Sequence, residues 1–369
     1  MVHLAQLSAT PRNDGLETAI QDRLADLDSG KYRQNNAYVL RLFAEWLRQE
    51  DKITEVEAIT PQHLRAFARE LRRAMETTPD DDYYVEIDAS STVNQYYDYV
   101  SAWLSWAVRD QYLDRNPART ETATEPLPET SSEPDRQFWS PRERRAICAT
   151  GDQLVDDAFD TQVDERTQLM VYRNRALVYL LGYSGCRGAE IAAVRVDTKR
   201  NGLQWKDIDL TDGVLTVYGK SREWEEAPLF EPAIEPLRRW KRVLNPPDEE
   251  WPVLPTFHLP TLYGLLPDRV ETTPDSVWDD LRTHEKTPPA VTVDGVRRTL
   301  VSLCEESNYQ FEEPLKPHGA RRGLGDQLYQ EQAELAQDAL RHRSIETTHE
   351  AYSEERIRRV KERGDEVVE

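Results

Sequence analysis

Over the first third of the chain, apolar residues recur at intervals of three and four. Residues 16–28 (LETAIQDRLADLD) have helical spacing, and Val39, Leu42, Phe43, Trp46 and Leu47 fall on one helical face. Thr60-Pro61 supplies a cap and a first turn for a helix carrying Leu64, Phe67, Ala68 and Leu71. After an acidic stretch, PDDDYYVEIDAS, a further helix is expected from Val93, Tyr96, Tyr97, Val100, Trp103, Leu104 and Ala107, ending at Asn116-Pro117. The pattern predicts an all-helical domain over residues 1–116. Residues 117–137 (PARTETATEPLPETSSEPDRQ) lose the apolar period and are rich in proline, threonine, serine and glutamate, as a linker is. Ser140-Pro-Arg-Glu143 has the form of a helix capping box, so a second domain is expected over 138–369.

That second domain changes period along its length. A helix is expected over about 172–182, then a Gly-Tyr-Ser-Gly turn, then another helix starting near Arg187. Residues 203–230 alternate: LQWKDIDL, an Asp212-Gly213 turn, VLTVYGK, then APLF, which predicts a small antiparallel sheet. Residues 245–292 carry many prolines and no clear period, and are expected to be irregular. Helical spacing returns from about 293. The fold class expected is therefore mainly α with a small antiparallel β-sheet.

Composition narrows the function classes. The 369 residues carry a net charge of −21, with 38% hydrophobic and 31% charged residues. Only nine of the basic residues are lysines; 38 are arginines. Such an acidic, lysine-poor chain suits a protein working in high salt, as in a halophilic archaeon or its virus, because dense surface charge keeps it dissolved. An acidic surface repels phosphate, but at molar salt the field is screened within about 3 Å, so local arginine clusters decide. The longest apolar run, residues 176–183, is too short for a bilayer, and no secretory pattern opens the chain. The three cysteines, Cys148, Cys186 and Cys304, are far apart, which fits a reducing cytoplasm. The histidines are scattered and no CxxC occurs, so neither metal nor cofactor is expected.

Four short stretches carry chemistry. Gly182-Tyr-Ser-Gly-Cys-Arg-Gly-Ala-Glu-Ile191 sets Arg187 at a helix start, where a guanidinium fork and backbone amides suit a phosphate. Val217-Tyr-Gly-Lys-Ser-Arg222 puts Lys220 at a hairpin end, able to protonate a leaving oxygen. In Leu315-Lys-Pro-His-Gly-Ala-Arg-Arg-Gly-Leu324, His318 and Arg321 share a helix face. In LRHRSIETTHEAY, residues 340–352, His342 precedes Tyr352 by ten positions, and Ser344 can cap the helix between them. Each stretch alone fits a surface ion pair, a turn lysine, a helix start or a packing tyrosine.

Their order, Arg … Lys … His-x-x-Arg … His … Tyr, resembles the tyrosine recombinases, the phage-integrase-like and Xer-like site-specific recombinases. The resemblance implies a helical core-binding (SAM-like) clamp domain and an α+β catalytic domain. It also implies attack by Tyr352 on a DNA phosphate, giving a 3′-phosphotyrosyl link. Arg187 and Arg321 would clamp the phosphate, His342 would hydrogen-bond it, Lys220 would protonate the 5′ oxygen, and His318 would assist at the tyrosine. Glu190 would orient Arg187. The expected partner is double-stranded DNA at specific sites, bound by four protomers, with an accessory DNA-bending protein possible. The segment after Tyr352 would dock on a neighbour. Integration or excision of a mobile element is the expected role. A type IB topoisomerase and a non-catalytic DNA-binding regulator stay open as alternatives. Departures from the family pattern are Leu340-Arg-His in place of Leu-Gly-His, Arg322 in place of a second histidine, and an insertion over 196–202. The insertion leaves Lys199, Lys206 and Arg222 as competitors of Lys220.

Overall fold

The computed structural model describes residues 7, 9–76, 87, 89–129 and 137–352. The chain divides into two compact units, Met1–Asp135 and Arg136–Glu369.

The first unit is helical: α1 (Gly15–Ala25), α2 (Lys31–Asp51), α3 (Pro61–Glu76), α4 (Ser90–Arg109) and the single turn α5 (Glu121–Thr124). Its core is aromatic. Phe43 meets Phe67 at 4.7 Å between ring centroids and Trp103 at 6.5 Å, so α2, α3 and α4 share one apolar centre. Asp14 caps α1 and is also gripped by Arg48, which holds its carboxyl below the usual range. The expected linker is partly folded. Pro117–Arg119 forms a 3-10 turn capped by Asn116, α5 follows it, and Ala118 and Ala123 are buried in the first unit's core. Two small apolar residues with local side-chain caps give that polar stretch enough burial to fold. Residues 130–136 lie outside the described residues.

The second unit contains α6 (Pro141–Asp160), α7 (Glu165–Gly182), α8 (Gly188–Ile191), β1 (Ile208–Asp209), β2 (Val214–Tyr218), β3 (Trp224–Pro228), α9 (Ile234–Leu244), α10 (Leu259–Tyr263), α11 (Val277–Thr283), α12 (Val293–Glu306), α13 (Pro317–Glu331) and α14 (Ala333–Leu340), with residues 345–352 helical after it. The capping box at Ser140 and Glu143 is formed in both directions. The sheet is antiparallel, in the order β1-β2-β3. Gly213 sits at φ 67° in the β1–β2 turn, where a Cβ would approach the Leu229 carbonyl oxygen at 2.8 Å.

Two sequence expectations are corrected here. The first strand shrinks to two residues, because Trp205–Asp207 turns as a 3-10 helix to bury the Trp205 ring. The third strand begins earlier than APLF, at Trp224. Residues 245–292 are also less irregular than their prolines suggest. They contain α10 and α11 and bury Trp251, Phe257 and Trp278 in the main core, with Phe257 and Trp278 at 4.8 Å. Widely spaced aromatic anchors, rather than a repeating period, hold this segment down. Among the described residues, no helix is long and apolar enough to cross a membrane.

Candidate active site

Arg187 caps α8 after the turn that holds Gly185 at φ 63°. Its Nη1 donates to Glu190 Oε1 at 2.7 Å, and its backbone N–H donates to Oε2 at 2.8 Å. The Glu190 side chain is fully buried, and its carboxyl is held below the usual range despite that burial. Arg341 opposes the desolvation most strongly, donating to Oε2 at 2.6 Å, with Arg187 adding to it. One buried carboxylate is therefore shared by two guanidinium groups. Arg187 stays about a quarter exposed, with 26% of its side-chain surface open.

Pro317 opens α13, so His318 and Arg321 lie one turn apart at its start. Trp139 fixes this helix. Its indole N–H donates to the Lys316 carbonyl at 3.0 Å, its backbone N–H donates to the Gly319 carbonyl at 3.0 Å, and its backbone lies so close to Gly323 that any side chain there would collide. Arg321 is turned inward and is 3% exposed. Its Nη1 donates to the Gly185 carbonyl at 2.5 Å, and its Nη2 donates to the Leu340 carbonyl. Arg321 thus ties the turn before Arg187 to the end of α14. Burial, then the neighbouring Arg187, push its pKa down to about 10, so it remains a cation at neutral pH.

His318 and His342 are both held neutral. Withdrawal from water, together with Arg322, Arg321 and Arg187, pushes His318 down to about 4. The residue itself stays exposed, so the three guanidinium groups are the sturdier cause. Burial, then Arg321, Arg187 and Arg341, do the same to half-buried His342, whose Nδ1 hydrogen-bonds the buried Thr348 hydroxyl at 2.9 Å. Both rings feel Arg187 and Arg321, so Arg187, His318, Arg321 and His342 converge on one place.

Tyr352 lies close enough to this cluster to feel the Arg321 and Arg322 charges. It is 2% exposed, and burial raises its phenol to about 12, with Arg321 and Arg322 pulling the other way. Its ring packs on Tyr329 at 5.6 Å and Phe138 at 6.3 Å. Its hydroxyl lies over Gly325 of α13, where an added Cβ would fall on it. Ser344 accepts from the Thr347 N–H at 3.3 Å, capping the helix that carries Tyr352. The segment after Tyr352 lies outside the described residues.

Lys220 stands apart. It is exposed in the turn between β2 and β3, with no hydrogen bond or ion pair among the described residues. Its competitors are engaged elsewhere: Lys206 pairs with Glu250 at 2.6 Å, Arg222 lies 3.8 Å from Asp197, and Lys199 rests over the Tyr218 ring. Arg200, from the insertion over 196–202, donates to the carbonyls of Ala189 at 3.1 Å, Tyr218 at 2.9 Å and Gly219 at 2.6 Å. The insertion thus straps the Lys220 turn to α8. Sequence reading missed Arg200 and Glu225; an arginine inside an insertion next to a candidate site is a signal that would have found Arg200. Among the described residues, no group of three His, Cys, Asp or Glu side chains is placed to hold a metal ion.

Residues 161–358 match the phage integrase family model, more than half of the chain. The chain belongs to the phage integrase family. Members similar in sequence include a tyrosine recombinase XerC of Chlorobaculum parvum, 33% identical over 110 residues, 29% of this chain and 30% of that protein. A XerC of Xanthomonas campestris pv. campestris is 37% identical over 70 residues, 19% of each chain. The chain therefore matches less than a third of the length of these relatives. Family structures share the fold across both units. A XerH recombinase in a post-cleavage complex with a palindromic difH substrate gives a TM-score of 0.56 at 15% identity, covering 91% of this chain and 80% of that one. The Tn1549 transposon integrase in complex with transposon right end DNA gives 0.55 at 15% identity, covering 92% and 94%. A mainly helical architecture with one small antiparallel sheet is thus that of the family.

Proposed function

We propose that this protein is a site-specific DNA recombinase that cuts and rejoins strands through a phosphotyrosine at Tyr352. The observation that carries the reading is the convergence of Arg187, His318, Arg321 and His342, with Tyr352 packed against the helix that bears two of them. A chain of net charge −21 gathers guanidinium groups there around a single fully buried carboxylate, which suits an anionic ligand. The sequence relatives named as tyrosine recombinases, and the family structures holding DNA substrates, point the same way.

In this reading Tyr352 Oη attacks the phosphorus, the bond to the 5′ oxygen breaks, and a 3′-phosphotyrosyl link replaces it. Arg187 and Arg321 neutralise the charge that builds on the non-bridging oxygens, and His342 donates to the same group. A guanidinium has five N–H donors, and Arg321 commits two to backbone carbonyls, which leaves others for the phosphate. The tyrosine proton passes to His318, which is neutral and so able to accept it; a phosphate among the cations offsets them and makes that ring more basic. Lys220 gives a proton to the departing 5′ oxygen. Attack by a 5′ hydroxyl reverses every step, so the exchange conserves bond energy and needs no ATP. Tyr352 must leave its packing on Gly325 before it can attack.

Recombination requires paired sites, which four protomers on two DNA sites would supply. Integration or excision of a mobile element, and operation in concentrated salt, complete the proposal. Nicked duplexes tiled across the DNA flanking the gene, incubated in concentrated KCl, are expected to yield a denaturant-stable adduct. Relaxation of supercoiled plasmid lacking that site would instead favour the topoisomerase. Specific binding without an adduct would favour a regulator.

A further inference from the structure

The end of α14 carries an arginine where the backbone favours glycine. Arg341 sits at φ 55°, ψ 46°, a left-handed conformation that side chains rarely adopt. Its side chain is nine-tenths buried and splits between two elements. Nη2 donates to Glu190 Oε2 on α8 at 2.6 Å, and Nε donates to Glu225 Oε2 on β3 at 3.2 Å. Glu225 in turn accepts from the Ser221 hydroxyl, next to Lys220 in the same turn. A continuous relay therefore runs Arg187–Glu190–Arg341–Glu225–Ser221, from the phosphate-binding arginine to the turn of the proposed general acid. Arg341 is also part of the charge balance. Its charge is the strongest of those that hold buried Glu190 ionised, with Arg187 adding to it.

We infer that Arg341 is a positioning residue, which sets the Lys220 turn in register with Arg187 and keeps Glu190 from neutralising Arg187 fully. The inference rests on the strand-cleavage reading above. The hydrogen bonds of Arg341 go to Glu190 on one side and Glu225 on the other, so it acts through these carboxylates and Ser221. The Arg200 guanidinium, donating to the Ala189 and Gly219 carbonyls, already holds the same turn to α8, so the Arg341 arm fixes its direction rather than its presence.

Arg341→Gly isolates the side chain, because glycine takes the left-handed backbone without strain and the fold is expected to survive. At saturating nicked duplex, adduct formation by the full-length variant should slow roughly 10²-fold, the scale for a small misplacement of reacting groups, with DNA affinity close to wild type, while the melting temperature falls because buried Glu190 loses its strongest counter-charge. Arg341→Lys, able to hold one carboxylate but not both, should recover part of the rate. Glu225→Ala cuts the other end of the relay and should slow cleavage similarly, and the double variant should be no slower than either single one. Wild-type cleavage rates in Arg341→Gly, or fully additive losses in the double variant, would overturn the inference while leaving the recombinase reading intact. A fall in DNA affinity parallel to the rate, with no recovery in Arg341→Lys, would reduce Arg341 to a structural cap. No adduct from the wild-type protein would overturn both.

Discussion

Gly325 offers the sharpest test of how Tyr352 is held. It lies mid-helix in α13, and a Cβ there would fall on Tyr352 Oη and Leu340 Cδ1, and 2.7 Å from Tyr352 Cζ. Alanine is the better helix former by about 1 kcal/mol, so Gly325→Ala would stabilise an isolated α13. The tyrosine, however, must move. A buried aromatic side chain hides about 150–250 Å², and at about 25 cal/mol per Å² its apolar part is worth up to about 3 kcal/mol as an upper bound. The helix gain is the same whether or not residues 345–352 dock, so docking loses up to about 3 kcal/mol, a shift of up to roughly 150-fold toward the undocked segment. Hydrogen exchange of that segment, read by mass spectrometry, should accelerate by up to that factor, while exchange in α6 and α7 stays unchanged. The Tyr352 phenol, pushed to about 12 by burial, should titrate nearer its ordinary value in the variant. Protection of residues 345–352 equal to wild type would refute the packing account.

Other consequences follow from the charges. His318 and His342 both fold with pKa values near 4, below their unfolded value, so the unfolded chain binds more protons as pH falls. Stability from this source is complete above about pH 6.5 and is lost as pH falls toward 4, by on the order of 1–2 kcal/mol after allowing for solvent screening of partly exposed rings. The melting temperature should fall over that window, and less so in a His318→Gln, His342→Gln variant; equal slopes would contradict the assignment. Lys220→Ala should slow strand cleavage by about 10²–10⁴-fold, and a substrate with sulfur at the 5′ bridging position should restore the rate, because a thiolate leaves without a proton. Lys199, Lys206 and Arg222 variants should show no such rescue; rescue in one of them would move the general acid.

Helix periodicity made much of the architecture legible. The α2 and α4 faces contribute Phe43 and Trp103 to one core, and the capping box at Ser140 marks the start of α6. What was not legible rests on contacts distant in sequence. Ala118 and Ala123 read as linker because two isolated alanines carry no period, yet they are buried. Trp251, Phe257 and Trp278 are too widely spaced to signal a packed segment. At the site, residue types and order pointed to Arg187, His318, Arg321, His342 and Tyr352, but not to the state they occupy. The inward turn of Arg321 depends on the Gly185 and Leu340 carbonyls, and the burial of Tyr352 depends on Gly325. The 196–202 insertion made Lys220 doubtful in the sequence, whereas in the fold Arg200 of that insertion anchors the Lys220 turn.

The most direct test of strand cleavage is to identify the residue that becomes linked to DNA. The protein would be trapped on nicked duplex in concentrated KCl, digested, and the nucleotide-bearing peptide sequenced by mass spectrometry. The account predicts a phosphotyrosyl peptide at Tyr352, and no adduct from a Tyr352→Phe variant that still folds and binds DNA. An adduct on another residue, or one that persists in Tyr352→Phe, would contradict it.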